Sequence, residues 1–238
     1  MKKILLSLGL CGYLFALSDN QVLEFYENTI KQRYPDAKIS IKNRQKIENT
    51  DFESVVVNIS LNGQNQDDVI FIKDDFIFPE IIDMKEKKSF RQEYEMKKFK
   101  EARDNFKNSV KPELKKETMV ISLGDKNKPL RYVFTDPECP YCREHLKNIE
   151  RELKNYQLKL ILTPVHARSA FEKSALIYKE CAKAKTDKEK IAILRKYYDE
   201  NIKSYPKVSE QEYQNMIKLY EKYRKLGLTG VPMIIDAN

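Results

Sequence analysis

A small α+β module followed by an α/β domain, joined by one long helix, is the architecture the sequence predicts. Three observations carry that reading. Between Val55 and Phe78 short apolar runs meet at turn residues, the pattern of antiparallel strands. Residues 85–111 contain no Gly or Pro and read as a single charged helix. From Thr118 onward strand signals alternate with helical stretches, the order of a sheet with crossover helices. With 14 Tyr and 11 Phe among 238 residues, the chain can pack a core despite a charged fraction of 34%. Only 6 Gly and 4 Cys exclude collagen-like and disulfide-scaffold classes, and the broken periodicity excludes a coiled coil.

Residues 1–16 read as a secretory signal. Lys2 and Lys3 form the basic start, Ile4 to Phe15 the apolar run, and Ala16 the small residue at the cleavage point, with Leu14 larger than usual two positions before it. That run is too short to span a bilayer, and no later stretch approaches the roughly 18 apolar residues a span needs. A lipid anchor on Cys11 is the alternative, disfavoured by Leu10 where a small residue is expected. Loss of Lys2 and Lys3 lowers the formal charge from +8 to +6. It leaves Cys139, Cys142 and Cys181 in an oxidising compartment.

Residues 17–83 form the first module. Ser18 to Gln21 is a capping box at the head of a helix, and Val22, Phe25, Tyr26, Thr29 and Ile30 lie on one face of it, with Pro35 as its end. Val55, Val57, Ile59 and Leu61 alternate and run into the turn pair Asn62-Gly63. Val69 to Ile72 and Phe76 to Phe78 flank the turn Lys73-Asp74-Asp75 as a hairpin. Residues 84–112 are the connecting helix, with Phe99, Ala102, Phe106 and Val110 as its apolar stripe and Pro112 as its end. Its ten Lys/Arg against five Asp/Glu over 85–111 raise a nucleic-acid surface, but a solvated helix is the simpler reading for an exported chain.

Residues 113–238 form the second domain. Strands are predicted at 118–123 and 130–135, a helix from 139 to 155, and a strand through Leu158, Leu160 and Leu162. Helices follow at 169–184, 187–201 and 209–226, the last closed by Gly227, and Val231 to Ile235 is a short buried strand.

The chemistry sits at Phe134-Thr135-Asp136-Pro137-Glu138-Cys139-Pro140-Tyr141-Cys142, which puts C-x-x-C at a strand–helix junction. A helix start offers unsatisfied N–H groups and a partial positive charge, which favour a thiolate at the first Cys. Cys139 is therefore the exposed attacking sulfur, and Cys142, one turn further in, closes on it or resolves a mixed disulfide. Pro140 costs nothing in the first turn. A zinc site of Cys139, Cys142 and His145 competes with this reading but lacks an evident fourth ligand, and a purely structural disulfide is the other alternative. His145 by itself reads as a surface helix residue.

With these residues in view, 118–235 resembles the thioredoxin-like domain of the Dsb periplasmic thiol–disulfide oxidoreductases, most closely the DsbC/DsbG isomerase branch. Val133 to Pro137, the Cys139-Pro140-Tyr141-Cys142 motif and Gly227-Leu228-Thr229-Gly230-Val231-Pro232 carry the resemblance. It implies a thioredoxin-like domain with a helical insert, behind a small cystatin-like α+β dimerisation domain and a linker helix. It implies Cys139 and Cys142 as the catalytic pair, supported by Pro140, Tyr141, Val231 and Pro232, the last cis and facing the two sulfurs. No metal or cofactor is implied. The implied partners are cysteine-containing exported proteins as substrates, a membrane-bound redox partner and a second copy of the chain, and no nucleic acid.

Three departures qualify the resemblance. The region 201–215 holds no Cys to pair with Cys181, which is then expected as a buried free thiol near Ile177. Val231 stands where the isomerases usually carry Thr, a choice closer to the DsbA oxidases. The sequence stops at Asn238, so either it is a fragment or its sheet is one edge strand short. Disulfide isomerase is the expected activity, with a DsbA-like oxidase or a non-redox dimeric chaperone as alternatives.

Overall fold

A computed structural model of the chain describes residues 17–202 and 204–237, so the signal segment, Cys11 and the final Asn238 lie outside it. The described chain divides into two compact units between Lys98 and Phe99.

The first unit begins with helix α1 (Asp19–Ile30), headed by the reciprocal capping box of Ser18 and Gln21. Strands β1 (Lys38–Lys46), β2 (Glu53–Leu61), β3 (Gln64–Lys73) and β4 (Phe76–Phe78) form an antiparallel sheet in that order, followed by the short pair β5 (Ile82–Asp83) and β6 (Lys88–Ser89). Both faces of the sheet are covered, which is why Val55-Val56-Val57 is a continuous apolar run rather than an alternation. Val55, Val57, Ile70 and Ile72 pack with Val22 and Tyr26 of α1. On the other face Val56, Val69 and Phe71 pack with Phe52, Phe78, Phe90 and Tyr94, the last two from the start of helix α2 (Phe90–Leu114).

Several expectations change here. Helix α1 stops at Ile30, before Pro35, and Phe25 points outward at 51% exposure. Strand β1 was not foreseen, because only Ile39 and Ile41 alternate before a bulge between Ile41 and Asn43 shifts the register. Helix α2 runs through Pro112 to Leu114. A proline in the last turn forfeits one backbone bond, and burial of Val110 and Leu114 holds that turn in place. The stripe of α2 in the second unit is Phe106, Val110 and Leu114, whereas Phe99 is exposed.

The second unit adds β7 (Ile121–Leu123), β8 (Leu130–Thr135), α3 (Pro140–Lys147), α4 (Ile149–Leu153), β9 (Gln157–Leu162), α5 (Arg168–Cys181), α6 (Asp187–Tyr198), α7 (Glu210–Lys225) and β10 (Met233–Asp236). Its sheet order is β10-β8-β9-β7. Only β8 and β9 are parallel, joined by α3 and α4 as a crossover. The single helix expected over 139–155 is two, because Asn148 leaves helical geometry at φ −101°, ψ 10°. Phe134 of β8 sits between Phe106 and Tyr223 in edge-to-face contact, with ring centroids 5.3 and 4.7 Å away. Gly227 ends α7 with φ +102°, and the N–H of Leu228 returns to the Tyr223 carbonyl at 3.0 Å. This closure delivers the chain into the Val231–Pro232 loop and β10, which pairs with β8 directly before the C-x-x-C segment.

Candidate active site

Strand β8 ends at Thr135, and Asp136-Pro137-Glu138 turns the chain into α3. Cys139 is the N-cap residue of α3, in extended geometry (φ −77°, ψ 122°), and its carbonyl accepts from the N–H of Arg143 at 3.0 Å. Pro140 fills the first helical position, where its missing N–H breaks no bond. Cys142, in the same first turn, is fully buried.

The attacking sulfur was expected to be exposed, and it is not: Cys139 is only 5% accessible. The reason is tertiary. The Val231–Pro232 peptide is cis, and its loop brings the Val231 carbonyl to 3.5 Å from the Cys139 Sγ, covering the sulfur. Pro140 and Tyr141 lie at the surface, Tyr141 with 76% of its area open, while Val231 and Pro232 are half-buried. Cys139, Cys142 and Cys181 are free thiols. Burial pushes the Cys142 thiol far up, against hydrogen bonds from the Thr135 side chain and the Asp136 backbone. Cys181 lies in the α5 core, and burial raises it to about 11.

The turn that leads into the motif carries a set of polar groups, Asp136 and Thr135 buried and Glu138 partly so, whose partners sequence reasoning did not identify. Asp136, with no accessible surface, accepts from the N–H of Glu138 at 2.7 Å and of Val165 at 2.8 Å, and lies 2.7 Å from His166 Nδ1. Glu138, the residue before Cys139, pairs with buried Lys173 of α5 at 2.9 Å. Burial alone would raise its carboxyl, but the hydrogen bonds from Lys173 and Ser169 hold it below the usual carboxylate range. Thr135 Oγ1 lies 2.8 Å from the Tyr198 hydroxyl of α6. No local signal marks this set, since Lys173 stands between Glu172 and Ser174 in the sequence and only the packing of α5 buries it.

His145 is not a surface residue: its Nε2 is 2.9 Å from Glu152 of α4, whose carboxyl it holds low. Among the described residues no three metal-ligating side chains converge, and no helix is long and apolar enough to cross a membrane.

A parallel β8–α3–β9 crossover with C-x-x-C at the helix head, facing a cis-proline loop, defines the thioredoxin-like fold. The chain is similar in fold to Helicobacter pylori DsbG, with 17% identity over 91% of this chain and 99% of that one, at a TM-score of 0.51. A linker-deletion variant of Proteus mirabilis ScsC is also similar, with 16% identity over 58% of this chain and 74% of its own at a TM-score of 0.47. Neither a protein-family model nor a curated protein sequence matches the chain.

Proposed function

We propose that the chain is an exported thiol–disulfide oxidoreductase of the periplasm, exchanging disulfides in cysteine-containing exported proteins and acting as a disulfide isomerase. The observation that carries it is the pairing of Cys139 at a helix N-cap with buried Cys142 under the Val231 carbonyl. In that arrangement the Cys139 thiolate attacks one sulfur of a substrate disulfide, the substrate S–S bond breaks, and a mixed disulfide forms. The other substrate sulfur leaves free to attack a different disulfide, which is isomerisation. Alternatively Cys142 attacks Cys139 and releases the substrate reduced. An extended substrate segment pairing with the loop at Val231 would hold its disulfide beside Cys139.

Isomerisation gains from a second copy that grips a misfolded chain, and the first unit supports such a pairing. Six of the nine most exposed large apolar side chains among the described residues lie there: Phe25, Tyr34, Phe76, Ile82, Met84 and Met96. Strand β1 is a poor edge for pairing, since Lys38, Lys42, Arg44 and Lys46 and its bulge blunt it. The opposite edge strand, β4, carries exposed Phe76, and Ile82 and Met84 in the segment after it are exposed as well. A membrane-bound redox partner would keep the dithiol reduced.

The second reading is a disulfide oxidase, favoured by Val231, whose side chain offers the attacking sulfur no hydroxyl. Refolding of a scrambled, fully oxidised protein separates the two. The reduced chain should restore native pairing catalytically if it is an isomerase. An oxidase would instead oxidise a reduced substrate in its disulfide form and leave the scrambled one unrescued. A non-redox chaperone should not accelerate reduction of insulin by added thiol.

A further inference from the structure

The first unit holds a cavity that the thiol chemistry does not use. Helix α1 has 12 residues and covers about 18 Å of the sheet, whereas β2 has 9 residues and spans about 30 Å. The β2–β3 hairpin therefore outruns the helix. Past the helix end the chain turns back through Arg33, Tyr34 and Ala37, and a cavity of about 710 Å³ remains between this turn and the hairpin. That volume is in the range of small-ligand sites. Its lining has three parts. Val55, Val57, Ile59 and Leu61 alternate along β2 on the face that meets α1, and the last two, half-buried, floor the cavity with Ile30. In β3 the same face changes character. Gln66 stands opposite Ile59 and Gln64 opposite Leu61, and with Asn62 and Asn65 they ring one side with side-chain amides. The third part is Arg33, the only charged residue of the described lining. Its guanidinium is exposed and makes no ion pair or hydrogen bond among the described residues. The acids that follow on β3 are engaged elsewhere, Asp67 with Lys42 at 2.7 Å and Asp68 with the Tyr26 hydroxyl at 2.5 Å.

We propose that this cavity binds the free carboxyl-terminal end of an extended peptide whose last residue is aliphatic. Each part of the lining matches one part of such a ligand. The Arg33 fork donates paired hydrogen bonds to the terminal carboxylate. The Asn and Gln amides carry both donors and acceptors, as successive peptide groups do, so they pair with the backbone leading to that end. The floor of Ile30, Ile59 and Leu61 takes the last side chain out of water. No carboxylate in the described lining repels the ligand. A simple aliphatic acid would make no use of the amides, and a sugar would make none of the floor. The site draws on neither Cys139 nor Cys142, so it stands apart from the exchange reading.

The test is fluorescence anisotropy of a cysteine-free peptide, fluorescein-Gly-Ser-Asn-Ala-Leu, titrated with the chain from Leu17. The free acid should bind saturably. Its carboxyl-terminal amide, and the same peptide ending in Ser, should each bind about tenfold more weakly, the scale of one lost hydrogen bond to a charge or one unburied aliphatic side chain. Arg33→Gln should weaken binding of the free acid about tenfold and abolish its preference over the amide, and Arg33→Lys should restore part of that preference. Arg33 is exposed, so these variants leave the core of the first unit untouched. Should one of them fail to fold, the comparison of acid with amide on the unmodified chain decides alone. Acid and amide binding alike, Leu and Ser ends binding alike, or an Arg33→Gln chain binding as the unmodified one does, each overturns the proposal. So does the absence of saturable binding at millimolar concentration, and so does displacement of the labelled peptide by octanoate but not by the unlabelled peptide.

Discussion

Cys139 and Cys142 differ by one helical turn and by what each side chain meets. Cys139 lies at the rim of the helix beneath a single carbonyl, while Cys142 is enclosed. Replacing Cys142 by Ala removes the resolving attack, so stable mixed disulfides with substrate proteins should accumulate on gels run without reductant. The Cys139→Ala chain should trap few or none, and equal trapping by both would reverse the assignment. Cys181 is a contrasting thiol, buried in the α5 core and raised to about 11. Below that pH it is overwhelmingly protonated, and only the thiolate is nucleophilic. Brief alkylation of the folded, reduced chain at neutral pH should leave it unlabelled, with labelling rising only as pH approaches 11. Rapid labelling near pH 7, read by mass spectrometry, would place it at an accessible surface instead. The C-x-x-C spacing at a strand–helix junction was legible in the sequence; the burial of Cys139 was not, because the loop that covers it arrives from 92 residues away.

At the scale of elements, the Glu138–Lys173 pair ties α5 to the turn that presents Cys139. Lys173→Met strands a carboxylate that is only 18% exposed, and should destabilise the chain by about 2–3 kcal/mol in urea melts. The pH dependence follows from the lowered Glu138 carboxyl. Its contribution is present above the ordinary carboxylate range and is lost as pH falls through the lower folded value. The wild-type advantage over Lys173→Met should therefore shrink on acidification, and an advantage that grows below pH 4 would contradict the pairing. Elements with local signals were readable: the Ser18 capping box heads α1 as expected, and the structure adds capping boxes at Thr186 and Ser209 heading α6 and α7. Strand β1 was not readable, since an edge strand with a bulge and four cations shows little apolar period. The break at Asn148 also escaped notice, because the apolar positions Leu146, Ile149 and Leu153 keep nearly helical spacing across it.

At the scale of the molecule, the proposed isomerase depends on a second copy meeting through the first unit. Light scattering of the chain from Leu17 at micromolar concentration should give a mass near twice that of one chain. Phe76→Lys with Met84→Lys, both on exposed side chains, should shift it towards monomer without changing exchange with small disulfides. A monomer in the unmodified chain would remove the main reason for preferring isomerase over oxidase.

Sequence alone determined the alternation of strands and helical stretches in the second unit and the C-x-x-C motif at a strand–helix junction, whereas the proline loop opposite it was expected only from the resemblance. The first two are written in residues adjacent along the chain, where capping, periodicity and turn chemistry act locally. Tertiary structure decided the rest of the site: the cover over Cys139, the Lys173 partner of Glu138, and the Tyr198 hydroxyl behind Thr135. Those groups lie 35 to 92 residues apart, and their pairing follows from which buried polar atoms must find partners once the core excludes water.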